Sequence, residues 1–178
     1  MKKIVSTPLT PEVISGIKAG DMLFLTGTIY TARDQAHKRI CELLSKGRKL
    51  PLDLKGQIIY YCGPTVTPKG KVIGSCGPTT SRRMDEFSPR LLEAGLAGMI
   101  GKGGRSREVR EAIKKTRGVY FLTFAGCGAL MSKYVCSSKT IAFPDLGPEA
   151  VRKLEVKGFP LIAAIDCRGR NILPEKEK

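Results

Sequence analysis

The first segment that could do chemistry lies where a predicted strand passes into a predicted helix. It carries Arg33, Asp34 and His37, and His37 is the only histidine of the chain. Arg33 and His37 are four residues apart, so they share one helix face, a turn from each other. A cation beside the amino end of a helix favours the binding of an anion. The alternative is a solvated basic helix start, with Asp34 as an ordinary acid of the first turn.

The second segment, Gly77-Pro78-Thr79-Thr80-Ser81-Arg82-Arg83, places three hydroxyls between a rigid turn and two arginines. A helix N-cap accounts for Thr80 or Ser81 without any function. It does not account for arginines in the first turn, because positive charge there opposes the helix dipole. This unfavourable placement favours a functional use, such as a bidentate clamp on a carboxylate.

The third segment, Gly101-Lys102-Gly103-Gly104, lies between a predicted strand and a helix that begins near Ser106. Its spacing differs from that of a Walker loop. Glycines let backbone N–H groups approach an anion, and Lys102 adds a point charge. A flexible turn is the equally weighted alternative.

The tetrapeptide Cys-Gly-Pro-Thr occurs twice, at residues 62–65 and 76–79. We interpret the first copy as an ordinary turn and the second copy as part of the segment that contains Thr79. A further glycine-rich stretch, residues 125–130, is typical of close packing between a helix and a strand. Cys127 in that stretch has no histidine near it in sequence, so cysteine catalysis is not expected.

Together the three segments offer more positive charge than one small monoanion needs, which favours a dicarboxylate held at both ends. Groups for acid–base chemistry are scarce, and neither paired carboxylates nor a Ser/His/Asp arrangement is evident. The sequence therefore predicts half of an active site.

The composition predicts one compact domain over residues 1–178, with a frayed tail at 174–178. The net charge of +15 requires a negative partner, which could be nucleic acid, an acidic protein chain or a small anion. No apolar run reaches the roughly 18 residues that span a membrane, so no membrane association is expected. The six cysteines form no Cys-x-x-Cys pair, which predicts no metal site on this chain and a reduced, cytoplasmic protein.

Predicted strands and helices alternate, which is typical of the α/β class. A helix start is predicted at Thr10-Pro11. Further helices are predicted over 33–46, 81–94 with a break at Pro89, 106–116 and 148–155. Strands are predicted over 22–30, 57–62, 96–100, 119–124, 140–143 and 159–166. A strand pair around the turn at 63–71 predicts a mixed sheet.

These motifs resemble the β subunit, or carboxyl-terminal domain, of class I iron–sulfur fumarate hydratases and L(+)-tartrate dehydratases. The resemblance extends over nearly the whole chain. It is most specific at Tyr30-Thr31-Ala32-Arg33-Asp34 and at Gly77-Pro78-Thr79-Thr80-Ser81. It also includes Pro8-Leu9-Thr10, Ala36-His37-Lys38-Arg39, Arg83-Met84-Asp85, Gly101-Lys102-Gly103, Glu155-Val156 and Phe159-Pro160.

The resemblance implies a swivelling β/β/α domain, in which helices flank a mixed sheet core. It implies a hydro-lyase that reversibly hydrates fumarate to L-malate, a reaction of the tricarboxylic acid cycle, or that dehydrates tartrate; the residues leave this choice open. A [4Fe–4S] cluster would be bound by three cysteines of a separate α subunit and not by this chain. The chain would be active only in a hetero-oligomer with that subunit, of which a dimer of the pair is one arrangement.

The resemblance also implies roles for individual residues. Those that bind the substrate would be Arg33, Thr80, Arg83 and Lys102. Thr79 would take the proton from the carbon next to a carboxylate, and Arg83 and Lys102 would assist it catalytically. Asp34 and His37 would support these residues from behind or at the subunit interface, and either is a rival proton carrier.

Two other functions stay open at this point. The first is a basic nucleic-acid-binding module, in which the positive charge neutralises phosphates. Only 6% of the residues are aromatic and no base-stacking motif is present, which argues against it. The second is a stand-alone anion-binding module without enzymatic activity.

Overall fold

The structure is a computed structural model that describes residues 3–174, so of the predicted frayed tail only Pro174 lies within it. The strands of this range are β1 (Lys3–Ser6), β2 (Met22–Thr31), β3 (Ile58–Tyr60), β4 (Gly98–Gly101), β5 (Val119–Leu122), β6 (Val135–Ala142) and β7 (Val151–Ile165). The α-helices are α1 (Pro11–Gly16), α2 (Asp34–Ser45), α3 (Ser88–Glu93), α4 (Arg107–Thr116) and α5 (Gly128–Met131). Short 3₁₀ helices occupy Ser81–Met84, Ser132–Tyr134 and Pro144–Glu149.

Five strands form a closed ring. β2, β3, β4 and β5 are neighbours in that order and all run parallel. β7 runs antiparallel to both β5 and β2 and closes the ring between them. β1 extends the sheet beside β2, and β6 extends it beside β7. Because β2 to β5 are parallel, their carboxyl ends meet at one end of the ring.

The ring separates two apolar cores. Alternate residues of a strand point to opposite faces, so Tyr60 and Ile58 of β3 point into the ring and Ile59 points outward. The outer core lies between the ring and helices α2, α3 and α4, which bury side chains such as Ile40 and Ile113 against it. This layered packing confirms the α/β class with a mixed sheet flanked by helices.

Local sequence explains where several helices begin. Thr10 caps α1 by accepting a hydrogen bond from Val13 N at 3.4 Å, and Pro11 occupies the first helical position, as predicted. Ser106 caps α4 in the same way through Val109 N. α2 begins directly after Arg33. The backbone of Arg33 is extended, and its side chain makes no capping hydrogen bond to the helix.

Two predictions of secondary structure are wrong. Residues 148–155 are not a helix: a 3₁₀ turn ends at Glu149, and Val151 begins the long strand β7. Residues after the turn at 63–71 form no strand, so the mixed sheet arises from β7 and not from an early strand pair. The predicted helix over 81–94 is divided, with a 3₁₀ turn first and α3 after it, and Pro89 lies in the first turn of α3.

Candidate active site

The three predicted cationic segments lie at the same end of the ring. Arg33 follows the carboxyl end of β2 by two residues, and Lys102 directly follows β4. The segment from Thr79 to Ser81 runs alongside these strand ends. Thr79 N donates to Tyr61 O at 2.7 Å, and Thr80 forms a parallel bridge with Lys102.

Two arginines converge on one carboxylate, that of Asp34. Arg83 Nη2 lies 2.8 Å from Asp34 Oδ2, and Arg33 Nη2 lies 3.7 Å from the same oxygen. Arg33 Nη2 also lies 3.5 Å from Glu149 Oε1. Asp34 is largely buried whereas Arg83 is half exposed, so the acid fixes the position of a guanidinium that remains open to a ligand.

The first Gly-Pro turn packs directly against Arg33. A Cβ on Gly63 would lie 3.1 Å from Arg33 Cδ and from Arg33 Nη1, so a larger residue there would displace the guanidinium. The thiols of Cys62 and Cys76, from the two copies of the repeat, are both buried. The interaction between them raises the pKa of Cys62 and lowers the pKa of Cys76. The first copy is therefore more than the ordinary turn that the sequence predicted.

The three consecutive hydroxyls differ in what they contact. Ser81 is buried, and its Oγ accepts from Lys102 N at 3.0 Å and lies 2.9 Å from the Tyr120 hydroxyl. Thr80 is exposed and makes no side-chain cap for the 3₁₀ turn. Within residues 3–174 the half-buried Thr79 hydroxyl has no hydrogen-bond partner, so it is free to meet a ligand.

His37 supports the site from behind. Its side chain is buried against the rings of Tyr61 and Phe87, and its Nδ1 lies 2.9 Å from Arg33 O. Because a carbonyl only accepts, Nδ1 carries the proton. Burial lowers the pKa of His37 from 6.5 to about 4, so the ring is neutral near pH 7. The ring is buried, and through Nδ1 it holds the Arg33 backbone.

Sequence reasoning missed a buried ion pair that holds the Lys102 loop in place. The Arg105 side chain is fully buried, with Nε 2.7 Å from Asp85 Oδ1 and Nη2 2.6 Å from Ser88 Oγ. Its guanidinium carbon also lies 4.9 Å from the centre of the Tyr120 ring. Asp85 further accepts from Ser106 N at 2.6 Å. This pair joins the segment after Arg83 to the loop after β4, and no local signal in the sequence distinguishes Asp85 and Arg105 from the exposed charges around them.

The glycine-rich stretch at residues 125–130 packs against the second Gly-Pro turn. A Cβ on Gly128 would collide with Ser75 Oγ and lie 2.8 Å from Gly77 N. The close approach therefore joins the first residue of α5 to a loop, whereas the sequence predicted contact between a helix and a strand. Cys127 is exposed beside this contact.

The described residues do not fit an iron–sulfur cluster held by this chain alone. Within residues 3–174 no group of three or more His, Cys, Asp or Glu side chains is arranged to hold a metal ion. The buried cysteines are Cys41, Cys62, Cys76 and Cys167, and the exposed ones are Cys127 and Cys136. In the same range no helix has both the length and the apolar character needed to cross a membrane.

Fold and geometry together define an α/β domain that carries cationic side chains at one end of a closed sheet. The chain belongs to the family described as Fumarase C-terminus, whose model matches residues 2–175. This confirms the resemblance that the motifs indicated.

Relatives agree with this assignment. The chain is 38% identical over 183 residues to the protein named L(+)-tartrate dehydratase subunit beta of Escherichia coli (strain K12), covering 100% of this chain and 90% of that protein. The protein of that name from Shigella boydii serotype 4 is 37% identical with the same coverage. Fumarate hydratase 2 of Leishmania major is 39% identical over 163 residues, which are 90% of this chain and 29% of that protein.

Proposed function

We propose that this chain is the β subunit of a hydro-lyase that adds water to fumarate or removes it from tartrate. The observation that supports this most is that Arg33, Arg83 and Lys102 lie at the same end of the ring, and that Thr79, whose hydroxyl is unpartnered, precedes the residue that bridges to Lys102. A four-carbon diacid has a negative charge at each end. Cations on three separate loops suit such a molecule better than a single carboxylate.

In the proposed reaction, Arg33, Arg83 and Lys102 bind the substrate carboxylates, and Thr80 donates a hydrogen bond to the substrate. Removal of a proton from the carbon next to a carboxylate builds negative charge on that carboxylate. Preorganised cations stabilise this charge as it develops, without reorganising. Asp34 contributes by holding Arg83 at 2.8 Å and Arg33 at 3.7 Å before the substrate arrives.

Thr79 is the proposed base. A threonine hydroxyl is weakly basic at neutral pH, so it needs cationic neighbours that lower its pKa. Lys102, bridged to Thr80, and Arg83, four residues after Thr79, supply that charge. His37 is a poor rival because it is buried and its protonated Nδ1 is committed to Arg33 O. Asp34 is a poor rival because its carboxylate already binds two arginines.

The metal centre belongs, in this proposal, to a separate α subunit that carries a [4Fe–4S] cluster. Two observations support this division: the described residues do not form a metal site, and the relatives that match over most of their length are named as subunits. The two subunits would form a cytoplasmic hetero-oligomer whose site is complete only when they meet.

The proposal is tested by co-expressing the chain with the candidate α subunit, reconstituting the cluster without oxygen, and assaying fumarate and L(+)-tartrate separately. We expect turnover of at least one acid by the pair and none by this chain alone. Thr79→Val, which removes only the hydroxyl, should abolish most of kcat, whereas Thr79→Ser keeps the hydroxyl and should retain measurable kcat. Turnover by the partner-free chain would refute the need for an α subunit. Full activity of Thr79→Val would refute the role of Thr79 as the base.

A further inference from the structure

Arg152 lies at the same end of the ring, on a strand that none of the three motifs includes. It is the second residue of β7 and pairs with Thr31, the last residue of β2. Its backbone N donates to Thr31 Oγ1 at 3.2 Å. Leu154 and Ile29, the next pair down the two strands on this face, both belong to the core inside the ring. Arg152 therefore stands on the inward-facing row, at the mouth of the ring.

The Arg152 side chain has a hydrogen-bond donor that no acceptor meets. Its Nε is buried and has no hydrogen-bond partner, and within residues 3–174 its side chain forms no ion pair. Arg33 Nε is buried and unpartnered as well. Both arginines stand at the same end of the ring, since Arg152 pairs with Thr31 and Arg33 follows Thr31 by two residues. Each has a buried Nε donor that is unused.

Asp34 and Glu149 form their ion pairs with other arginines, and Asp34 Oδ2 is itself buried without a hydrogen-bond partner. Asp34 binds Arg83 and Arg33, and Glu149 binds Arg33 while its Oε2 accepts from Gln35 N at 2.9 Å. A buried donor without an acceptor is costly. Arg105 shows the contrast, since the nitrogens of its buried guanidinium are met by Asp85, Ser88 and Tyr61. Within residues 3–174 no acceptor meets Arg152 Nε, so a carboxylate of a bound ligand could supply one.

We propose that Arg152 is a fourth cation of the candidate active site and that, together with Arg33, it binds one carboxylate of the diacid substrate. This inference rests on the proposed function for the identity of the ligand. Two arginines on one carboxylate hold that end of the molecule more strongly and in a fixed plane. Arg152 would thereby help to decide which end of the diacid enters first and would discriminate against monoacids.

The test compares Arg152→Gln with Arg152→Lys and with Lys153→Gln. Lys153→Gln is the matched control because it removes one positive charge at the next residue, which is half exposed and points to the opposite face of β7. Dissociation constants for succinate, a non-reacting diacid, and for butyrate are measured by calorimetry with the pair of subunits. KM and kcat are measured on the same preparations, and circular dichroism verifies folding.

We expect Arg152→Gln to weaken succinate binding and raise KM by about tenfold or more, as the loss of one charge-assisted bond implies, with a smaller effect on kcat. Arg152→Lys should recover part of the affinity, and Lys153→Gln should stay near the wild-type value. Butyrate should bind weakly to all four proteins. Should Arg152→Gln fail to fold, Arg152→Lys still tests the idea through its loss of bidentate binding.

Two outcomes would overturn the inference. One is a folded Arg152→Gln protein that binds succinate as well as the wild type does. The other is a variant that loses affinity for the α subunit only, which would assign the missing acceptor to an acid of the partner. If the wild type binds succinate through Arg152 but turns over neither fumarate nor tartrate, the hydro-lyase proposal fails and the anion site stands.

Discussion

Replacing Asp85 by alanine should lower the stability of the fold far more than replacing a surface acid that lies equally close to its cation. Asp85 and Glu93 each lie within 2.8 Å of a cation, Asp85 at 2.7 Å from Arg105 and Glu93 at 2.8 Å from Lys115. The difference between them is burial: the Arg105 side chain is 0% exposed, whereas that of Lys115 is 73% exposed. The two substitutions therefore test burial and not distance.

The magnitude follows from the buried charge that is left behind. Removing one partner of a buried ion pair costs about 3–5 kcal/mol, since the other charge loses its compensation. Asp85→Ala also removes the acceptor for Ser106 N at 2.6 Å. For a chain of this length the loss corresponds to a melting temperature lower by about 6–20 °C. Glu93→Ala should change the melting temperature little, because solvent screens exposed pairs.

The assay is thermal unfolding followed by circular dichroism, with the double variant Asp85→Leu/Arg105→Met as a third sample. Replacing both charges by apolar groups removes the orphaned cation, so the double variant should recover most of the lost stability. The reasoning is refuted if Asp85→Ala melts no lower than Glu93→Ala, or if the double variant is less stable than Asp85→Ala.

Three further results are expected. Arg83→Ala should lower kcat of the reconstituted pair by about 100-fold or more while leaving the unfolding curve unchanged, since Arg83 is half exposed and its role is to stabilise developing charge; full activity would exclude it from the site. The neutral, buried His37 does not gain a proton until about pH 4, whereas in the unfolded chain it does so near 6.5. Stability is therefore lost as the pH falls through this window, by up to about 3 kcal/mol, and urea titrations of His37→Gln should lack this component; parallel pH curves for the two proteins would contradict it. Gly101→Ala places a Cβ against Ser81 Oγ and 2.9 Å from Tyr61 Cδ2, so it should cost about 1–3 kcal/mol in chemical denaturation, whereas Gly104→Ala, with open space around it, should behave as wild type.

Local patterns predict the elements whose signals are contained within a few turns of chain. α2 and α4 were predictable because apolar residues recur at helical spacing and Ser106 provides a cap. The predicted helix at 148–155 was wrong because Val151 and Leu154 are spaced as on a helix face. In β7 these two residues point to opposite sides of the sheet, Val151 into the outer core and Leu154 into the ring.

The candidate site shows the same limit. Arg33, Arg83 and Lys102 are conspicuous in sequence because each stands in an unusual local setting. Nothing local indicates that Glu149 reaches Arg33 or that Arg152 lies beside Thr31, since strand register across the ring determines both contacts. Local sequence patterns therefore do not predict which strands pair when they are far apart in the chain.

The closure of the ring has a consequence for how the protein is made. Arg152 and Thr31, which are hydrogen-bonded in the folded chain, are 121 residues apart, so β2 leaves the ribosome long before β7 exists. Until β7 pairs with it, one edge of β2 has unpaired backbone N–H and C=O groups, which other chains could bind. We expect the sheet to close only after β7 has been synthesised, slowly, and the nascent chain to need protection during that interval.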